Sequence, residues 1–540
     1  MNRKKQYPGV LIIGRMSYTG GYAAIISNYL RAMDRVNIRY AAIDSVTLKF
    51  ICKKKDRFGT WDEKNKTFST EGDLVVIINE VPTDFDKVKV NGRVRLIGCT
   101  LFETHSFPAY WFNYIDLVDE VWVPTRFNLK TFSSAGIPRE KLRVVSYCLD
   151  TNFFNNTKVE PYRIYGVREF VFLYILSNLN RKDVGMLLRA YYQGFKDNKD
   201  TTLILKLVHK SSDELEQIKA SVQPEFDFDD PRLPHVVIIQ DKFDDKTMKR
   251  LYQLCDVYVS TERAKGWDFP AMEAMAMGKP VVSIDWSGST EFLNHTNSFL
   301  IPHQGNMIDI DEDLVSNQPL YFNQLWPDVR DEDVGKVLVR SYMEKDLRKE
   351  YGSRGQKEIK GRYSPEVIGN HIKKILNSYN FEMMRGKENA SVKVDPFCFT
   401  VVPKKRSDTA LGKSSKAKIV KKEIKKRISD FIMVPFKNPL LKMKLFLRII
   451  GFSLKNIRHL HPSNWKKSLS ELRKLLKEGK FQKNNPASLS KRVVYLEREN
   501  SNLKQMVENR DKLISKLKKM VGNRDMTISR QKQIIDKRNA

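Results

Sequence analysis

One stretch, residues 266–282 (G-W-D-F-P-A-M-E-A-M-A-M-G-K-P-V-V), limits what this chain can fold into more than any other. A loop bounded by Gly266 and Pro270 leads into a helix of small residues over 271–277. Gly278-Lys279-Pro280 ends that helix, because glycine takes the left-handed turn past a helix and proline cannot extend one. Residues 281–284 follow as a strand. The helix carries one carboxylate, Glu273, among side chains suited to packing. A buried charge without a partner is costly. Spacing alone leaves open an acid that serves a ligand and one that is salt-bridged or half-exposed.

The rest of residues 1–380 alternates short apolar runs with helical patterns, the mark of an α/β fold. Residues 10–13 read as a buried strand, 14–21 as a loop ending in Gly20-Gly21, and 22–33 as a helix with Ala23, Ile25, Ile26, Tyr29, Leu30 and Met33 at spacings of three and four. Strand, glycine loop and helix bring backbone N–H groups toward an anion; a turn that needs glycine gives the same pattern. Strands are expected at 40–43, 74–78, 94–99, 120–123, 169–175, 203–208, 236–239 and 254–259, and helices at 184–195 and within 334–376. Glu103 and His105 fall at the carboxyl side of a strand, where α/β sheets place ligands. Arg181 and Lys182 share a strand-to-helix loop, a bidentate fork beside a point charge, suited to a diphosphate or simply solvated. Ser287, Gly288, Ser289 and Thr290 precede a short helix carrying Glu291, as an N-cap or an anion site.

The 266–282 stretch resembles the donor-site signature of the GT-B glycosyltransferases, in particular the large retaining family four, E-G-F-G-L-P-x-x-E-A-M-A-x-G-x-P-V. The F-E-T-x-x-x-P-x-x-W loop at 102–111, the V-W-V-P strand at 121–124 and the T-E-F-L-N run at 290–294 resemble segments of the same family. The resemblance implies two Rossmann-like domains facing a cleft: residues 1–165 on the acceptor side, and 166–380 holding the nucleotide sugar, with a last helix that crosses back onto the first domain. It implies transfer of a sugar from a nucleotide donor to a glycan or lipid-linked acceptor, with retention, without a metal or other cofactor, in synthesis of cell-surface polysaccharide or glycoconjugate. It places Glu273 on the ribose hydroxyls and Arg181 and Lys182 on the diphosphate. Gly20, Gly21, Gly266, Trp267, Ser289 and Thr290 fall around the donor, and His105 toward the acceptor. The family's first glutamate is replaced here by Lys265, and a loop glycine by Asp268. Either the carboxylate that addresses the sugar has moved, to Asp268 or Glu262, or the site is altered and the body serves as a scaffold.

Charge divides the chain. The net charge is +31, of which about +27 lies in residues 381–540 and about +4 in residues 1–380. A basic tail on a near-neutral body points to an anionic partner. Residues 381–490 read as a basic linker, lysine-rich over 404–427, with amphipathic helices; 440–458 carries a wide apolar face edged by Lys444, Arg448, Lys455 and Arg458, suited to an anionic membrane surface or to docking on the body. Aromatic interleaving is sparse, which disfavours nucleic acid. Residues 491–540 keep Val493, Asn500, Val507, Ile514, Val521, Ile528 and Ile535 seven apart, a coiled coil for self-association or a partner. The five cysteines are scattered, without metal-ligand spacing. No run approaches the roughly 20 apolar residues of a spanning helix. The expected place is the cytoplasm, or the cytoplasmic face of a membrane.

Overall fold

The computed structural model describes residues 8–17, 21–52, 58–108, 111–155, 159–176, 183–208, 212–311, 314–315, 318–381 and 389–395. The tail features at 404–427, 440–458 and 491–540 lie outside them.

The first half is built on a seven-stranded sheet in the order β10-β9-β8-β6-β1-β2-β3. Its strands are β1 (Gly9–Gly14), β2 (Tyr40–Asp44), β3 (Phe50–Cys52), β6 (Leu74–Asn79), β8 (Val94–Cys99), β9 (Glu120–Val123) and β10 (Leu142–Val144). All pair in parallel except β3, which runs antiparallel to β2. β1 and β6 are buried along their whole length. That explains their continuous apolar sequences, because strands covered on both faces lose the usual alternation. Helix α1 (Gly21–Arg35) covers one face with Ile25, Ile26, Tyr29, Ala32 and Met33.

The second half carries a parallel sheet in the order β13-β12-β11-β14-β15-β16. These are β11 (Phe170–Leu176), β12 (Thr201–Leu207), β13 (His235–Ile239), β14 (Val257–Ser260), β15 (Val281–Ile284) and β16 (Phe299–Ile301). Counted within this half the order is 3-2-1-4-5-6, the doubly wound arrangement that opens a ligand crevice where the winding reverses. Two Rossmann-like sheets thus flank a cleft, the expected GT-B architecture. The strand expected over 254–259 begins three residues later, because α4 (Asp245–Leu254) runs to Leu254 and Cys255 caps it.

After α6 (Lys345–Arg362), helix α7 (Pro365–Ser378) crosses onto the first half and packs on α1. A β-carbon on Gly369 would strike the Ala32 carbonyl, so only glycine allows this approach. Lys373 Nζ donates to the Val36 carbonyl at 3.1 Å. Tyr379 donates to Glu120 at 3.1 Å; this buried carboxylate also accepts from Arg95, Arg143 and the Trp122 indole. The chain then contributes β19 (Asn389–Val394), placed between β5 (Thr67–Glu71) and β7 (Val88–Asn91) of a second, antiparallel sheet of the first half. The ordered body thus extends past residue 380, with a strand inside the stretch read from sequence as linker. Among the described residues no helix is long and apolar enough to cross a membrane.

Candidate active site

The crevice of the second sheet lies between β11 and β14, where the loops that follow them diverge. The loop after β14 runs into α5 (Phe269–Ala276), whose first turn explains its sequence. Asp268 is the N-cap, accepting from the Ala271 amide at 3.2 Å. Pro270 sits in the first turn, where its missing N–H costs nothing. Gly266 and Gly288 are there for close approach: a β-carbon on Gly266 would strike Leu101 of the first half, and one on Gly288 the Gly266 carbonyl.

Glu273 projects from the middle of α5 and is half-buried. It accepts a hydrogen bond from Tyr252 of α4 at 2.6 Å. Burial pushes its carboxyl up to about 8, against the pull of that hydroxyl, with Asp245 and Asp268 adding repulsion. Among the described residues it forms no salt bridge. Tyr252 itself went unread in the sequence; its phenol is fixed by the fold, 21 residues away.

Lys265 and Asp268 are each 3% exposed and form an ion pair. Asp268 also accepts from Ser260 Oγ at 3.1 Å. The carboxylate of Glu262 stands 4.0 Å from the Lys265 amine. One cation between two acids leaves this group with a formal net −1, the charge of the first glutamate of the signature, which Lys265 replaces. Asp268 thus has both oxygens engaged, one capping α5 and the other on Lys265 and Ser260.

Trp267 packs against Tyr147, Phe269, Phe292 and Tyr363, with ring centroids 5.1–6.4 Å apart. Its indole N–H is buried without a hydrogen-bond partner among the described residues. Ser289 and Thr290 belong to a single 3-10 turn, Gly288–Glu291. Their hydroxyls donate to the Trp286 and Ser287 carbonyls at 3.3 and 2.7 Å. Glu291 reaches across to the first half, accepting from the Arg126 amide at 2.7 Å and pairing with its guanidinium at 3.1 Å; burial raises its carboxyl against that cation. Gly21 opens α1 with free space where a β-carbon would stand. Gly20, Arg181 and Lys182 lie outside the described residues.

Arg263, not singled out by the sequence, bridges the crevice. Its guanidinium pairs with Asp183 at 2.9 Å, where Asp183 caps α3 (Val184–Gly194) beyond β11, and it lies over the Trp326 ring. The only sequence signal was a cation two residues from Lys265 in the same loop.

His105 sits where the two halves meet. Its Nδ1 accepts from the Leu325 amide at 2.9 Å, at the start of β18 (Leu325–Pro327), and its own amide donates back to the Leu325 carbonyl at 3.3 Å. Because Nδ1 accepts that N–H, the ring is neutral with its proton on Nε2, and burial, which lowers its pKa, favours this form. Thr104 donates to Gln324 at 2.7 Å and Tyr321 to Glu103 at 2.5 Å. Ser287 Oγ, within reach of the Glu103 carbonyl at 2.7 Å, adds a third link.

Solved structures give wide but shallow likeness. Anabaena HepE in complex with UDP and glucose is 13% identical, over 69% of this chain and 100% of that one, with a TM-score of 0.46. A sucrose-phosphate synthase from Thermosynechococcus elongatus is 11% identical over 68% and 98%, with a TM-score of 0.45. A glycosyltransferase from Rickettsia africae is 10% identical over 69% and 98%, with a TM-score of 0.47. No curated protein matches the sequence. Residues 169–315, which include Glu273, Lys265 and Asp268, match the model of the family described as glycosyl transferases group 1, and the two Rossmann-like halves have the GT-B fold.

Proposed function

We propose that this chain transfers a sugar from a nucleotide-sugar donor to a glycan or lipid-linked acceptor with retention, in synthesis of cell-surface glycan or glycoconjugate. The observation that carries this reading is Glu273, a half-buried carboxylate fixed by Tyr252 on α5 at the crevice of the glycosyltransferase domain. Ribose hydroxyls donating to it would supply the charge-assisted bonds that an isolated buried carboxylate lacks. Arg181 and Lys182 serve the diphosphate, and Arg263, paired with Asp183, adds a third cation to that role. That group gains negative charge as it leaves, so cations fixed in advance stabilise the transition state. No enzymic nucleophile and no metal are assigned. The neutral His105 offers one N–H toward the acceptor. Gly20 and Gly21, with Gly266, Trp267, Ser289 and Thr290, shape the donor's surroundings. The Lys265–Asp268 pair gives the sugar-facing loop its charge together with Glu262.

The same pair favours a second reading, a GT-B body that binds but does not transfer and is recruited through its tail to an anionic membrane or, through 491–540, to a partner. Calorimetry of UDP, GDP and ADP against the chain and Glu273→Ala tests the donor site. Micromolar binding of one nucleotide, lost in the variant, supports it; no binding of any of the three sinks it. Release of that nucleotide from its sugar conjugate then separates transferase from binding body.

A further inference from the structure

Between β16 and the helix Asp331–Met343 the second half sends out an excursion, a hairpin of β17 (Met307–Asp309) and β18. Its described residues pack into the core of the first half. Ile310, Leu314, Tyr321 and Trp326, each 1–5% exposed, belong to one buried cluster with Phe102 and Trp111. The Tyr321 and Phe102 ring centroids are 5.8 Å apart. Polar contacts fix the excursion there: three consecutive residues of the first half, Glu103, Thr104 and His105, bond to Tyr321, Gln324 and Leu325.

Trp326, one residue beyond Leu325, meets a cation of the second half. The Arg263 guanidinium carbon stands 5.8 Å from the centroid of its ring. Asp183 holds the same guanidinium on another side, accepting from Nε at 3.0 Å and lying 2.9 Å from Nη2. Met186 Sδ is 3.9 Å from Nη2. Nη1 donates to none of the described residues. The Arg263 side chain is 15% exposed. A carboxylate and a ring face thus clamp a planar fork that keeps free donors.

The two sides of the clamp act differently. Asp183 orients Arg263 but also offsets its charge, which weakens its hold on an anion. A ring face attracts a cation without neutralising it. Arg263 follows β14 and Asp183 follows β11, so the clamp lies at the switch point of the second sheet. A cation there helps a departing diphosphate only if it is fixed in advance, since reorganisation during the reaction cancels the gain. Resting on the glycosyltransferase reading above, we propose that Trp326 is a positioning residue for the diphosphate, acting through Arg263, and that the excursion carrying it ties this cation to the first half.

The test measures the affinity of the full chain for UDP, GDP or ADP, whichever binds by calorimetry. Trp326→Leu should weaken binding about tenfold, the size of a desolvated cation–π contact. Trp326→Phe keeps a ring and should stay within about threefold of the wild type. In an Arg263→Gln chain, Trp326→Leu should weaken binding no further. A tryptophan with only a packing role would lower the melting temperature in both backgrounds and leave the two affinity changes additive. Should Trp326→Leu fail to melt cooperatively, ring-fluorinated tryptophan in place of all seven probes the same contact with little change in shape. Fluorine draws charge from the ring face, so affinity should fall in the wild type and hold in Trp326→Phe. Equal losses from Trp326→Leu in both backgrounds, or an affinity unmoved by a folded Trp326→Leu or by fluorination, overturns the proposal. Failure of the wild type to bind any nucleotide would instead overturn the glycosyltransferase reading beneath it.

Discussion

Lys265 and Asp268 are a buried ion pair, three residues apart on the loop that enters α5, and each is matched to the other's presence. A glutamate at 265 beside Asp268 and Glu262 would gather three acids where the fold now has two acids and a cation. Lys265→Glu alone should therefore destabilise the chain by about 3–5 kcal/mol, the usual cost of stranding one partner of a buried pair. Lys265→Glu combined with Asp268→Gly should recover part of that loss, since the second change removes a carboxylate while giving up a cap worth about 1 kcal/mol. Thermal melts of the two variants decide it: equal destabilisation would show that the residues are not coupled.

Gly266 lets the loop that enters α5 touch the first half at Leu101. Gly266→Ala should cost about 1–3 kcal/mol by overpacking, and Leu101→Ala in the same chain should relieve it. A double-mutant cycle on denaturant unfolding measures the coupling. Additive losses would mean that the two halves do not meet there.

β19 completes the antiparallel sheet of the first half with Val392 and Val394, both fully buried. At about 1.5–3 kcal/mol per buried valine, a chain ended after Phe381 should be less stable than one ended after Phe399 by about 3–6 kcal/mol. Denaturant midpoints of the two chains give the comparison, and equal midpoints would contradict the placement of the strand.

The raised carboxyl of Glu273 makes stability depend on pH. A carboxyl at about 8 when folded and 4.5 in its ordinary state favours folding fully below pH 4.5, and that contribution is lost as pH rises through 8. Glu273→Gln cannot lose it. The variant should therefore gain on the wild type across that window, by on the order of 2–4 kcal/mol at pH 9. Melts from pH 4 to 9 with a constant gap would contradict the burial cause.

Much of the scaffold was legible because its strands are fully buried apolar runs. β8 and β15 keep the expected residues, and β6 gains only Asn79. Boundaries without glycine or proline were less legible, as at Leu254, where an apolar run crosses from helix into strand. β19 alternates buried and exposed side chains in the strand period, but the rising positive charge around it read as linker. The candidate site was legible where its residues are close in sequence, as along 262–273. Arg263 and Asp183 meet across 80 positions. Such pairs are created by strand order, which no local pattern carries. The partnership of His105 with Leu325 likewise depends on the second half folding back on the first.

The most direct test of the central claim, that Glu273 holds the ribose of a nucleotide sugar, is proton-linked calorimetry. UDP, GDP and ADP are titrated at pH 7 in buffers of differing ionisation enthalpy, against the wild type and Glu273→Gln. Ribose hydroxyls favour the ionised carboxylate, whereas the free protein holds it largely protonated at that pH. Binding of one nucleotide should therefore release up to about one proton in the wild type, with affinity rising toward pH 9, and Glu273→Gln should bind weakly and release none. Binding that is equally tight in both, with no proton released by either, would contradict the account.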